Sequence, residues 1–300
     1  MVSMKLLTTE QRVRVLACLV EGNSIRATCR MTGVAKATVM KFIADMGAVC
    51  EQYHDENVRG IAGRRKIQAD EIWCFVGAKD KNIPARLEGS EDAGSVWTWT
   101  AIDAESKLML AYHVGTRDGE CAREFMLDLA GRVTGRIQLT TDGHWAYRSA
   151  VPEAFGNEID YGVLVKHYAE PRMGEARYSP CECVGTEKTA IIGRMKKHEV
   201  STSFVERQNL TLRMSNRRFT RLTNAFSRKL ANLRASVSIH YMYYNFARVH
   251  QTLRVTPAME AGIAKSVWTL ADMVGLLEAQ ERAIIGTEAN KRGPYRKSKI

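Results

Sequence analysis

Apolar positions in the first sixty residues recur at helical spacing and then change to the alternation of strands. Thr8 or Thr9 can cap a helix that carries Val13, Leu16, Ala17 and Val20 on one face and stops at Glu21-Gly22. Ser24 caps a second, short helix over Ile25–Thr32, and Gly33-Val34 supplies a tight turn. A third helix runs over Lys36–Met46 with Val39, Phe42, Ile43 and Met46 facing inward. A glycine- and arginine-rich connector, 58–66, follows. From Ile67 the chain reads as strands: Ile67–Val76, then Ser95–Ile102, a turn at Asp103–Ser106, and Leu108–Val114 returning as a hairpin. Helix and strand then alternate: a helix from Glu120 to Gly131, a strand Arg136–Asp142, a helix Trp145–Phe155 and a strand Tyr161–Tyr168. A helix containing Glu206, a long helix over Ala225–His250 and a last one over Val267–Arg282 complete the series. Three strands in succession followed by alternating helix and strand describe a mixed sheet flanked by helices.

This order divides the 300 residues into a helical module (1–60), a basic linker (61–66), an α/β core (67–262) and a C-terminal helix with a basic tail (263–300). The strand order expected for the core is that of the ribonuclease H-like fold. Short helix, glycine turn and a helix opening Lys36-Ala-Thr38 form a helix-turn-helix pattern, which would aim Lys36, Thr38 and Lys41 at a major groove. A plain three-helix core with no groove contact has the same pattern. Arg64, Arg65 and Lys66 in the linker could rest on phosphates.

Charge sharpens this picture. The formal net charge is +11 and the pI about 9.4. From Arg207 to Met259 there is no acid, while ten Arg and Lys residues, among them Arg213, Arg217 and Arg218, hold nearly all of the imbalance. Clustered positive charge of this kind suits a polyanion. Seven scattered cysteines do not form a disulfide framework and suit a reducing compartment. Cys181 and Cys183 with His167 or His198 offer only a weak zinc pattern. No apolar run reaches the ~20 residues that span a bilayer, and the N-terminus lacks the shape of a signal peptide. A cytoplasmic, membrane-free protein is expected.

Three acids stand in unusual settings. Asp70 lies inside an apolar strand, Asp142 ends a second strand, and Glu206 sits in the first turn of a helix. Burying an unpaired charge is costly, so Asp70 needs a cation, and a divalent metal shared among carboxylates meets that need. Glu71 competes with Asp70, but neighbours on a strand point to opposite faces, so only one of the two is expected to reach a metal. Glu187 and Glu199 compete with Glu206.

The blocks Gln-Ala-Asp70-Glu71-Ile-Trp, Thr-Thr-Asp142-Gly-His-Trp-Ala-Tyr and Phe-Val-Glu206-Arg-Gln-Asn-Leu-Thr-Leu-Arg213 resemble the catalytic blocks of bacterial insertion-sequence DDE transposases, the IS-one-like group in particular. The segment Tyr244–Met259 resembles the end of the same core. The resemblance implies a ribonuclease H-like core in which Asp70, Asp142 and Glu206 bind two Mg²⁺ ions, with Mn²⁺ able to substitute. It implies double-stranded DNA as partner, recognition of terminal inverted repeats, strand cleavage and strand transfer. A homodimer or larger assembly on nucleoid DNA follows from the need to join two ends. Asn209 and Arg213 share the helical face of Glu206, where Arg213 could hold a phosphate. Asp142 and Glu206 are farther apart in sequence than the family usually has them, so 169–201 reads as a basic insertion. Two rivals share these features: a DNA-binding regulator whose core has lost catalysis, and a nuclease without strand transfer.

Overall fold

The computed structural model describes residues 7–63, 65–169, 182–220 and 223–291, with side chains to residue 285. Three helices come first: α1 (Thr9–Val20), α2 (Ile25–Thr32) and α3 (Lys36–Asn57). Thr8 caps α1 in a capping box with Gln11, and Ser24 accepts from the Ala27 amide at the start of α2. Gly33 ends α2 at φ 71°, a left-handed conformation that costs glycine nothing. Helix α3 runs well past Met46 because buried positions continue at helical spacing through Val49, Cys50 and His54.

The six-stranded sheet contains β1 (Lys66–Val76), β2 (Gly94–Asp103), β3 (Met109–Gly115), β4 (Ile137–Thr141), β5 (Ile159–Tyr168) and β6 (Cys183–Ile192). Its spatial order is β3-β2-β1-β4-β5-β6. The first three strands form an antiparallel meander, while β4 and β5 run parallel to β1. The sixth strand pairs antiparallel with β5 and lies in the segment read from sequence as an insertion. Residues 170–181, which include Cys181, fall outside the described residues.

Helices cover both faces. On one, α4 (Gly119–Arg132) and α5 (Tyr147–Phe155) pack with Trp99, Phe125 and Tyr147 in the core. On the other, α6 (Ser203–Ser215) and α7 (Leu230–Met242) bury Val205, Leu212, Val237 and Tyr241 against Ile72, Cys74 and Val76. The long helix expected over Ala225–His250 is thus shorter, continuing past Met242 only as a π-helical turn over Tyr243–Ala247. After a short α8 (Pro257–Glu260), α9 (Leu270–Lys291) returns to the N-terminus, where Arg12 bonds Glu281 at 2.9 and 3.0 Å.

Residues of α1 and α3 share one apolar cluster with the sheet. Helix α3 packs tightly on α7 at Gly47, where an added Cβ would lie 2.4 Å from that of Ala235. Among the described residues, no helix is long and apolar enough to cross a membrane.

Candidate metal centre and basic cleft

Strands β1 and β4 pair only through Lys66–Gln68 with Gln138–Thr140. Beyond that point the ladder ends and the strands part. Asp70 lies two residues past the last pair on one strand, and Asp142 two residues past it on the other. One carboxylate oxygen from each of Asp70, Glu71 and Asp142 lies within 4.8 Å of the others.

Glu71 corrects the sequence-based expectation that only one of two neighbouring strand residues could reach the centre. Asn209 on α6 holds Asp70 and Tyr147 on α5 holds Glu71, yet an oxygen of each lies close to Asp142 where the β1–β4 ladder ends. The Glu71 carboxylate is fixed in position. Oε1 accepts from Arg117 Nε and Nη2 at 2.7 and 2.6 Å, and Oε2 accepts from the Tyr147 hydroxyl at 3.0 Å. Arg117 lies over the Trp97 ring, 4.4 Å from its centre.

The electrostatics show a site short of positive charge. Burial first, then the Glu71 and Asp142 carboxylates, push Asp70 up to about 7, with a smaller contribution from Glu206. Burial and Asp142 also raise Glu71, against the pull of Arg117 and Tyr147. Asp70 accepts from Asn209 Nδ2 at 2.9 Å, and the Glu71 backbone amide also acts to lower its pKa. Asp142 accepts the His144 amide at 2.9 Å across its turn.

Helix α6 is docked by Gln68, which stands two positions before Asp70. Its Oε1 accepts the backbone amides of Phe204 and Val205 at 2.8 and 3.2 Å, satisfying two free donors of the first helical turn. Thr100 donates to Asn209 Oδ1 at 3.3 Å one turn further on. Glu206 lies between these two anchors. Its carboxylate takes Lys166 on β5 and the Thr202 hydroxyl, and it is not one of the three mutually close acids. Glu199 is occupied by Lys66 at 3.0 Å, and Glu187 lies exposed on the edge strand.

The expected nucleic-acid contacts are distributed unevenly. Lys36 and Lys41 are exposed at the start of α3, with Thr38 partly so, and Lys41 pairs with Asp45 at 2.6 Å. Arg64 lies outside the described residues. Arg65 bonds Ala62 O at 2.9 Å and the buried Asp103 at 3.2 Å, so it is tied into the fold. Lys66 pairs with Glu199, and Asn209 is buried against Asp70. Arg213 is partly buried two turns beyond Glu206 on α6. Arg217 and Arg218 line a cleft of about 900 Å³ that faces Lys36 and Arg26 of the N-terminal helices.

Two residues of the acid site escape sequence reasoning. Arg117 follows β3 without any motif, and Tyr147 reads as core packing; it is fully buried, but its hydroxyl serves Glu71. The only sequence signal for Tyr147 is its place in the block after Asp142.

No protein-family model and no curated protein matches this chain. Among solved structures it is similar in part to Mos1 transposase assemblies. The pre-cleavage Mos1 transpososome aligns at 12% identity over 53% of this chain and 60% of that one, with a TM-score of 0.22. The Mos1 transposase paired-end complex with left transposon end aligns at 14% over 54% and 60%, again at 0.22. The Mos1 mariner paired end complex with Mn aligns at 12% over 51% and 57%, with a TM-score of 0.20. The alignments thus span less than two thirds of those chains. Scores this low establish no shared function, and the chemistry rests on the geometry above.

Proposed function

We propose that this chain is a DDE-type transposase that binds double-stranded DNA at the ends of an insertion element and catalyses metal-dependent strand cleavage and strand transfer. The observation that carries the reading is the convergence of Asp70 and Asp142 where β1 and β4 part, one helix away from a long cationic segment. The strand order, an antiparallel meander joined to parallel strands through the Asp70 strand, is the order a ribonuclease H-like core requires.

The donor set fits a hard divalent cation. Carboxylate oxygens are the ligands Mg²⁺ and Mn²⁺ prefer, and the raised Asp70 marks a cluster that lacks a compensating charge. Asp70 and Asp142 would hold the ions, with Glu206 as third ligand and Glu71 as a further acid. Bound there, two Mg²⁺ would activate the attacking oxygen and neutralise the leaving one.

The chain's own residues do the positioning. Asn209 aims Asp70, Arg117 and Tyr147 hold Glu71, and Gln68 fixes the helix that carries Glu206. Arg213 supplies charge for the phosphates on the helix that carries Glu206, and Arg217 and Arg218 for DNA beyond it. In this reading α2 and α3 form a helix-turn-helix with Lys36, Thr38 and Lys41 on the groove and Arg64 on the adjacent backbone. The protein would work as a homodimer or larger assembly, because two ends are joined.

One observation favours a second reading. Lys166 already occupies Glu206, as it would in a DNA-binding regulator whose core is silent. A plasmid carrying the element's ends separates the two. The transposase gives nicked and joined products only with Mg²⁺ or Mn²⁺, and Asp142→Ala abolishes them while end binding persists. Full activity of Asp142→Ala, or none in the native protein, rejects the enzyme; nicks that are never joined leave a nuclease.

A further inference from the structure

The cleft between the N-terminal helices and the segment after α6 has a chemistry of its own. It is lined by Arg26, Lys36, Arg217, Arg218 and Arg228, and none of the described residues lining it is acidic. Its apolar lining comes from Leu19, Met40, Ile43, Phe226 and Ile239 among others. Phe226 presents a flat ring there, packed on Phe75 with centres 4.7 Å apart. At about 900 Å³ the space exceeds what a rim of loosely bound counter-ions needs.

The same lining holds a buried histidine. His240 lines the same cleft, is only 4% exposed, and its Nε2 has no hydrogen-bond partner. Leaving a buried polar nitrogen unsatisfied costs about 1–3 kcal/mol, and native interiors rarely tolerate it without a reason. Burial, and to a lesser degree Arg248, hold this imidazole down to about 3, so it is neutral and can either donate or accept.

Apolar side chains interleaved with neutral polar ones such as Asn216, Asn232 and Ser236 match a planar heterocycle, and five cations with no acid among the described lining residues match its phosphate. We infer that this cleft binds a nucleotide, with the base against Phe226, its edge on the neutral polar side chains of the lining, and the phosphate on Arg217, Arg218 and Arg228. The nucleotide has two possible sources, an unpaired residue of a DNA strand or a free mononucleotide. The strand source rests on the DNA-processing function proposed above; the site chemistry does not.

The test uses the full chain with dAMP, inorganic phosphate and a duplex ending in an unpaired 2-aminopurine nucleotide. Binding of dAMP should exceed that of phosphate by about tenfold or more, the equivalent of ~1.4 kcal/mol for the base. Asn232→Trp, which fills the cleft from α7, should abolish dAMP binding, and Arg228→Glu should weaken dAMP and phosphate together. His240→Phe keeps the shape and removes the unsatisfied nitrogen. It should leave thermal stability equal or higher. A 2-aminopurine end bound tenfold tighter than dAMP assigns the site to a DNA strand, and equal affinities assign it to free nucleotide.

Phosphate binding as well as dAMP, or an unchanged dAMP affinity in Asn232→Trp with a native melting curve, overturns the inference. Metal-dependent nicking that survives alongside such a failure leaves the transposase intact. Nucleotide binding without any nicking would remove the transposase and keep the cleft.

Discussion

Asn209 donates to Asp70 across 2.9 Å, and this bond ties the helix bearing Glu206 to the strand at the centre of the sheet. Thr100 completes the link from the neighbouring strand, its one hydroxyl proton shared between the Asp70 carbonyl at 3.0 Å and Asn209 Oδ1 at 3.3 Å. Removing the amide takes a side-chain donor from a crowded carboxylate. Asn209→Ala is expected to lower unfolding free energy by about 1–3 kcal/mol, read from urea midpoints, whereas Asn209→Gln loses less. Equal stability of Asn209→Ala and native protein would mean the bond is not made in solution.

Glu206 is held by Lys166 on the next strand but one, so its entry into the acid centre requires that this pair be exchanged. An exposed pair is worth at most ~1 kcal/mol to the fold. Lys166→Gln should therefore leave the melting temperature nearly unchanged and tighten Mn²⁺ binding about fivefold, the same energy expressed as affinity. Titration calorimetry checks this. In a Glu206→Gln background the second substitution should do nothing, and an equal gain there would disconnect Lys166 from Glu206.

Asp70 gives a pH dependence with a defined sign. Its ordinary pKa is near 3.9, and in the fold it is pushed up to about 7 by burial and its neighbours. Between these values the folded chain holds a proton that the unfolded chain has lost. Stability of the metal-free protein therefore falls as pH rises from about 4 to 7 and is flat above. Asp70→Asn removes this contribution. In EDTA its melting temperature should exceed the native value by a margin that grows over that window to about 2–6 °C, and Mg²⁺ should narrow the margin by stabilising only the native protein. A margin independent of pH would place the acid in water.

Gly47 sets the approach of α3 to α7. A methyl group there meets Ala235 Cβ at 2.4 Å and its carbonyl oxygen at 2.9 Å, and the backbone atoms cannot yield as a flexible side chain would. Gly47→Ala should cost about 1–3 kcal/mol despite the better helix propensity of alanine. Adding Ala235→Gly should return part of that loss. Calorimetric melting of the single and double variants reads both effects.

Much of this architecture was legible in the chain, because strands and helix ends are local events. The capping box at Thr8 and Gln11, the glycine after α2 and the alternation in β2 depend on neighbours within a few residues. The settings of Asp70 and Asp142 were equally local, an acid in an apolar strand and an acid at a strand end. The true lengths of α3 and α7 were not, since each continues or stops according to what a distant element buries against it. What only the tertiary structure decided was the company these acids keep. The end of the β1–β4 ladder opens a gap that admits Glu71 beside them, while Arg117, Tyr147 and Asn209 arrive from three different elements and Lys166 draws Glu206 aside. Sequence spacing along one strand assigns a side chain to a face; it cannot say where two strands separate, and that separation determines which charges meet.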